Sequence, residues 1–248
     1  QILKELMLKQ TIDPEVLEGV QWDISGWKND RISPEQALEQ AEDAQQQARA
    51  ILYQAYQKQL HAYNAVDFDD LILLPVMLFR SNPDVLAKWR RKIRYMLVDE
   101  YQDTNVCQYE LVKLLVAERA AFTVVGDDDQ SIYAWRGARP ENLAQLKEDF
   151  PSLKIVKLEQ NYRSTARILR SANTVIANNP HVFEKALWSD HTIGEEIRIV
   201  RCRNEDAETD RVATEILDQK LKKGLDFRDV AVLYRGNHHA RPLEITLR

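Results

Sequence analysis

The sequence predicts an α/β fold built on mostly parallel sheets, joined to an all-helical subdomain. Three observations carry this. From about residue 94 onward, hydrophobic runs of strand length alternate with helical patterns, as strand–helix–strand units require. Two of those runs, Tyr95 to Val98 and Phe122 to Val125, stop abruptly at acidic or amide side chains. Residues 1 to about 65 show helical spacing only.

In that first segment, Ser33-Pro34-Glu35-Gln36 is a capping box with Pro at the first helical position. Ala37, Ala41, Ala44, Ala48, Ile51, Leu52 and Leu60 then recur on one helical face, and the opposite face is rich in Gln and Glu. From Asp67 the style changes. Asp67-Phe68-Asp69-Asp70 precedes an amphipathic helix to about Arg80, which Ser81-Asn82-Pro83 breaks. A strand is expected at about 94–98, and a helix at about 106–118, started by Asn105 with Gln108 three residues on. A second strand is expected at about 121–126, a helix from Pro140 to about 149, and a third strand from Leu153 to Leu158. A helix of about 165–178 closes at Asn178-Asn179-Pro180. A further β-α-β unit is expected from Ile197–Arg203, a helix of about 206–222 stopped by Gly224, and Val230–Tyr234, before a last helix begins. The expected division is 1–65, a helical accessory subdomain; 66–163, one α/β half; and 164–248, the start of a second α/β domain.

Composition narrows the function classes. A hydrophobic share of 44% and a charged share of 29% are ordinary for a soluble globular protein. No run approaches the roughly 20 apolar residues that span a bilayer, and no signal peptide is visible, so a cytoplasmic protein is expected. The chain opens on Gln1 without Met, which points to a piece of a longer protein. Cys107 and Cys202 lie far apart and read as free thiols, and His238-His239 read as loop residues without a zinc pattern. The net charge of −5 does not advertise nucleic-acid binding. Enzymes that hold single strands by stacking in a local groove escape that objection.

Three motifs carry chemistry. Ligands of open α/β sheets sit beyond the carboxyl ends of the strands. There the Val98-Asp99-Glu100-Tyr101-Gln102-Asp103-Thr104 run presents an Asp able to hold Mg²⁺ and a Glu able to orient or deprotonate water. On its own, Asp99-Glu100 is equally an exposed acidic turn after a buried strand. In Gly126-Asp127-Asp128-Asp129-Gln130-Ser131-Ile132-Tyr133-Ala134-Trp135-Arg136-Gly137, the Gln130 amide can contact water and a γ-phosphate oxygen together. Tyr133 and Trp135 offer flat faces for base stacking, or pack as core against the sheet. In Leu158-Glu159-Gln160-Asn161-Tyr162-Arg163-Ser164, Arg163 suits an arginine finger, which typically accelerates phosphoryl transfer about 10³–10⁵-fold. Tyr162 could stack on adenine. Arg163 is otherwise a surface arginine in a helix-start salt bridge.

In order and spacing, these motifs resemble motifs II, III and IV of the UvrD/Rep/PcrA group of superfamily 1 DNA helicases. Trp27-Lys28-Asn29-Asp30, Asp67 to Pro75, Asn179 to Lys185, and Tyr234-Arg235-Gly236-Asn237-His238 point to the Rep branch. The resemblance implies partial RecA-like motor domains with an inserted helical subdomain. It implies ATP and Mg²⁺ as cofactors, and 3′-to-5′ ATP-driven translocation on single-stranded DNA with duplex unwinding at junctions, in replication or repair and with possible replication or repair proteins as partners. Asp99 would be the Mg²⁺ ligand, Glu100 the catalytic base, Gln130 the γ-phosphate contact, Arg163 the arginine finger and Tyr162 the adenine neighbour. Phe68, Tyr133 and Trp135 would stack bases, and Arg136 would help hold the strand. The G-x-x-x-x-G-K-[ST] phosphate loop does not occur in these 248 residues. The family keeps it upstream, so the isolated piece is expected to lack ATPase activity. Two competing readings are a non-catalytic module binding DNA or a replication partner, and a helicase subunit of a helicase–nuclease complex.

Overall fold

A computed structural model describes residues 1–9, 16–116, 119–181 and 183–248. By internal contacts the chain forms two compact units. Unit 1 comprises 1–163 and 169–190, and unit 2 comprises 164–168 and 191–248.

Unit 1 opens with four helices, α1 (Ile2–Lys9), α2 (Leu17–Asn29), α3 (Pro34–Glu39) and α4 (Ala44–Ala62). The Ser33 box forms as expected: its hydroxyl accepts from the Gln36 amide at 3.2 Å, and the Gln36 side chain accepts from the Ser33 amide at 2.9 Å. Met7, Val20, Ile24, Ala50, Leu52 and Tyr53 bury one another, and Trp27 stacks on Tyr53 with centroids 5.6 Å apart. The helical spacing of these side chains gives each helix one apolar stripe to bury.

The α5 helix (Asp70–Ser81) ends where Asn82 leads into α6 (Pro83–Lys92), a helix whose Pro stands at its first turn. The parallel pair β1 (Met96–Val98) and β2 (Phe122–Val124) runs in the register Met96 to Phe122, Leu97 to Thr123 and Val98 to Val124. The crossover between them is α7 (Val106–Val116), capped by the reciprocal Asn105–Gln108 bonds of 2.8 and 3.0 Å. The expected end of this helix at 118 lies outside the described residues, as does Val182 of the Asn179–Lys185 run. After β2 comes α8 (Glu141–Asp149), whose Leu143 and Leu146 join Phe150, Phe122, Tyr101 and Tyr109 in the core beneath the strands.

The third expected strand does not form. Among the described residues, Leu153 to Leu158 pairs with no strand, and an isolated bridge joins Gln160 and Trp188. The α9 helix follows (Ala166–Ile176).

Unit 2 holds α10 (Glu205–Lys223), started by the Asn204 side chain and stopped at Gly224, and α11 (Ala240–Leu247). The expected strands Ile197–Arg203 and Val230–Tyr234 are also unpaired, with Ile199 89% and Leu233 94% exposed. Hydrophobic alternation reports only that a segment suits a pleated, half-buried surface. A strand also needs a neighbour whose amides and carbonyls align with it, and among the described residues these three segments have none. The mostly parallel α/β sheet of the sequence reading is thus a two-stranded parallel pair in a helix-rich chain.

Candidate nucleotide site and nucleic-acid interface

The two strands of unit 1 stop side by side. Past the last register pair, the Val125 amide donates to the Val98 carbonyl at 2.8 Å, and the Tyr101 amide donates to the Val125 carbonyl at 2.9 Å. The pairing therefore carries Asp99-Glu100 and Gly126-Asp127 out of the sheet at the same edge.

Gln102 fastens these two loops together. Its side chain is buried; the amide nitrogen donates to Glu100 Oε2 at 2.8 Å, and its oxygen accepts from the Asp127 amide at 2.9 Å. Gly126 is required by this closeness: a Cβ there would stand 3.0 Å from Gln102 Oε1 and 3.3 Å from its backbone nitrogen. Glu100 itself sits in the left-handed region at φ 49°, ψ 44°. A non-glycine residue persists there only when its surroundings hold it, and such residues cluster at functional sites. Asp99 is exposed, and one of its oxygens accepts from the Glu100 amide at 2.9 Å. Its second oxygen remains an exposed, hard donor of the kind Mg²⁺ prefers.

The three acids of the Asp127–Asp129 loop share one ammonium, which offsets part of their charge. Lys185 reaches all three acids, contacting Asp127, Asp128 at 2.6 Å and Asp129 at 3.1 Å. His181 lies 3.1 Å from Asp129. Asp128, Asp129 and His181 are close enough to share a cation, but the Lys185 ammonium already fills that role. Burial alone would raise the Asp127 carboxyl; the hydrogen bonds from Lys185 and Gln130 outweigh it and hold the group below the usual carboxylate range. Burial alone would likewise lower Lys185, and its three carboxylate partners push it above its ordinary value instead. Gln130 is exposed and donates to Asp127 Oδ2 at 2.7 Å.

Tyr162 and Arg163 are exposed. The Tyr162 hydroxyl donates to Gln160 Oε1 at 2.7 Å, and the Arg163 amide donates to Asn161 Oδ1 at 2.9 Å. Among the described residues, no ion pair or hydrogen bond joins the Arg163 guanidinium to Asp99, Glu100 or Gln130. Asp99, Glu100 and Gln130 are brought to one sheet edge; Arg163 is not linked to them.

The aromatic residues gather elsewhere in unit 1, along an open groove of about 590 Å³. Tyr133 is 38%, Trp135 56% and Phe68 90% exposed, so none of these rings is sealed in a core. The Arg136 guanidinium lies 4.5 Å from the Trp135 ring centre and 5.5 Å from that of Tyr133. Phe68 lies in the run between two acids that Lys28 grips: Lys28, with no side-chain exposure, donates to Asp67 at 2.7 Å and to Asp70 at 2.8 Å. An aromatic, partly cationic, open groove is suited to flat ligands.

Sequence reasoning gave no role to Gln102, Lys185, Lys28 or Trp22. The first three lie inside the motif runs, but nothing in a run marks which member is buried between two others. Trp22 carried no signal at all, because its partner Trp135 is distant in the chain.

The UvrD/REP helicase N-terminal domain matches residues 1–151, and the UvrD-like helicase C-terminal domain matches residues 156–248. The chain belongs to the UvrD/REP helicase family. It is 53% identical over 244 residues to the ATP-dependent DNA helicase Rep of Escherichia coli strain K12, covering 98% of this chain and 36% of that protein. It is 46% identical to the Rep helicase of Buchnera aphidicola subsp. Acyrthosiphon pisum, over 98% of this chain and 38% of that protein. It is 42% identical to the ATP-dependent DNA helicase PcrA of Staphylococcus aureus strain Mu50, over 99% of this chain and 34% of that protein. The chain thus spans little more than a third of the length of these relatives. Among the described residues, no helix is long and apolar enough to cross a membrane.

Proposed function

We propose that this chain is the central portion of an ATP-dependent DNA helicase that moves 3′ to 5′ along single-stranded DNA and unwinds duplex. The observation that carries this is the Gln102 bridge, which joins Glu100 to the Asp127 amide at the shared edge of two parallel strands. It supports a preorganised site in which little motion is needed to deliver carboxylate and amide groups to one phosphate.

In this reading Asp99 holds Mg²⁺, which when bound neutralises charge on the nucleotide phosphates. Glu100 takes a proton from the attacking water, its carboxylate aimed by the Gln102 amide. Gln130 contacts the γ-phosphate, Arg163 stabilises transition-state charge and Tyr162 lies near the adenine. Phe68, Tyr133 and Trp135 stack the bases of a single strand, with Arg136 holding it. The segment 1–65 is a helical accessory subdomain, 66–163 the second half of a first RecA-like motor domain, and 164–248 the start of a second. The parent acts in the cytoplasm, on single strands and duplex junctions, in replication or repair.

Without a phosphate-cradling loop, the β- and γ-phosphates lack their main clamp. The 248-residue chain is therefore expected to show no turnover in a coupled ATPase assay with saturating MgATP and single-stranded DNA. Turnover at the level of intact helicases would sink the assignment of this piece as an incomplete motor.

A further inference from the structure

The groove has a second wall that the helicase motifs do not account for. It is one face of α2: Trp22, Gly26 and Asn29 stand at helical spacing and line the groove together with the Tyr133–Gly137 loop. Trp22 meets Trp135 edge to face, with ring centroids 5.0 Å apart. The two tryptophans of α2 have different fates. Trp27 is stacked in the helical core, whereas Trp22 is 45% exposed. A single exposed ring is ordinary, but Trp22, Phe68, Tyr133 and Trp135 on one groove form the kind of exposed apolar cluster that marks a ligand site.

Gly26 adds an independent observation. It sits inside a helix, where glycine costs about 1 kcal/mol relative to alanine. A Cβ there would meet nothing within 4 Å. No neighbour demands the glycine; its effect is to leave the groove wall flat beside the Trp22 ring. The wall is also fixed in place. Asn105 donates to Asn29 Oδ1 at 2.8 Å, Arg139 pairs with Asp30 at 3.0 Å, and Lys28 grips Asp67 and Asp70. Asp69 and Asp103 also line the groove, and carboxyls there disfavour phosphates beside them and suit uncharged bases.

We propose that Trp22 is a base-stacking residue, and that the Trp22–Gly26–Asn29 face of α2 holds a nucleobase of single-stranded DNA against the groove, with the phosphates directed outward. This rests on the single-strand reading of the groove given above. It adds a contact from the helical subdomain to those of the motif loops.

The test is binding of an oligo-dT strand to the full-length protein by fluorescence anisotropy across a salt series, together with photocrosslinking to an iodouracil-substituted strand. Trp22→Ala is expected to weaken binding roughly 5- to 150-fold, the range that loss of one stacked base corresponds to. Trp22→Phe should keep most of the affinity. Because no phosphate contact is removed, the slope of log affinity against log salt should stay as in the parent, whereas Arg136→Ala should make it shallower. Gly26→Leu, which favours the helix but fills the wall, should also weaken binding, and the crosslink should map to Trp22. Unchanged affinity in Trp22→Ala alongside a loss in Trp135→Ala would overturn the proposal and leave the groove reading intact. Unchanged affinity in Trp22→Ala, Trp135→Ala and Phe68→Ala together would defeat the groove reading itself. If Trp22→Ala does not fold, the crosslink decides: adducts at the 131–137 loop without one in α2 reject the role.

Discussion

The strand-edge carboxylate site and the aromatic groove both draw on the Asp99–Thr104 and Gly126–Gly137 runs, yet they are held in opposite ways. At the strand edge, polar groups are satisfied by other protein groups. Gln102 is buried with both ends of its amide used, Asp127 has Lys185 and Gln130, and Glu100 is fixed in a strained backbone conformation. In the groove, the rings touch one another but remain open to solvent. Chemistry at a phosphate gains from groups that need not reorganise. A strand that must slide gains from flat faces that accept any base. The Tyr101–Asp103 turn joins the two regions: Gln102 faces the carboxylates, and Asp103, raised by burial and then by the Glu100 charge, lines the groove.

The comparison can be broken at either end. The largest effect is expected for Glu100→Gln in the complete helicase. Loss of a general base typically costs about 10²–10⁴-fold, so hydrolysis should nearly vanish while ATP and DNA binding persist. Normal turnover in a steady-state assay would remove Glu100 from the chemistry.

Next is Lys28→Met, on the groove side. It leaves Asp67 and Asp70 buried without their cation, and breaking such a cluster costs about 3–5 kcal/mol. A melting temperature lower by roughly 10 °C in circular dichroism is expected, with weaker single-strand binding as the run that carries Phe68 loosens. An unchanged melt would show that the cluster holds nothing.

Gln102→Ala should cost less, about 1–3 kcal/mol, as the Asp127 amide and Glu100 carboxylate lose their partner. Its value lies in the split: ATP hydrolysis should fall while oligo-dT affinity changes little. Equal losses in both assays would merge the two regions into one.

The smallest effect is expected from acid. Asp127 is held below its ordinary value of 3.8, so its contribution to stability is present above that value and is lost as pH falls through the folded value. Part-exposed ion pairs contribute up to about 1 kcal/mol. Lys185→Met should accordingly narrow the gap in urea midpoint between neutral pH and pH below 4. Parallel pH profiles in parent and variant would remove the Lys185 cluster from the stability of this loop.

Most of the helices were legible in the sequence because their signals are local. The Ser33 box, the Asn105–Gln108 cap and the Gly224 stop each involve residues a few positions apart, and each forms. The α6 helix is not legible, because Asn82-Pro83 reads as a break although Pro at a first turn starts a helix. The unpaired segments at 153–158, 197–203 and 230–234 went the other way: their alternation is real, but pairing is a property of two segments. For the site, Asp99, Glu100 and Gln130 were legible as strand-end groups, and Tyr133 and Trp135 as an aromatic pair whose exposure was open.

The sequence by itself determined the helical periodicity, the caps, the acidic ends of two hydrophobic runs and the family those runs belong to. Each depends on residue type and short spacing, which the chain carries without folding. Only the tertiary structure decided that Gln102 ties two loops, that Lys185 bridges the three acids, that Lys28 pairs with Asp67 and Asp70 and that Trp22 meets Trp135. Those contacts join residues from 2 to 113 positions apart. They exist because burial in a packed interior forces polar groups to find partners and brings distant rings to a shared surface.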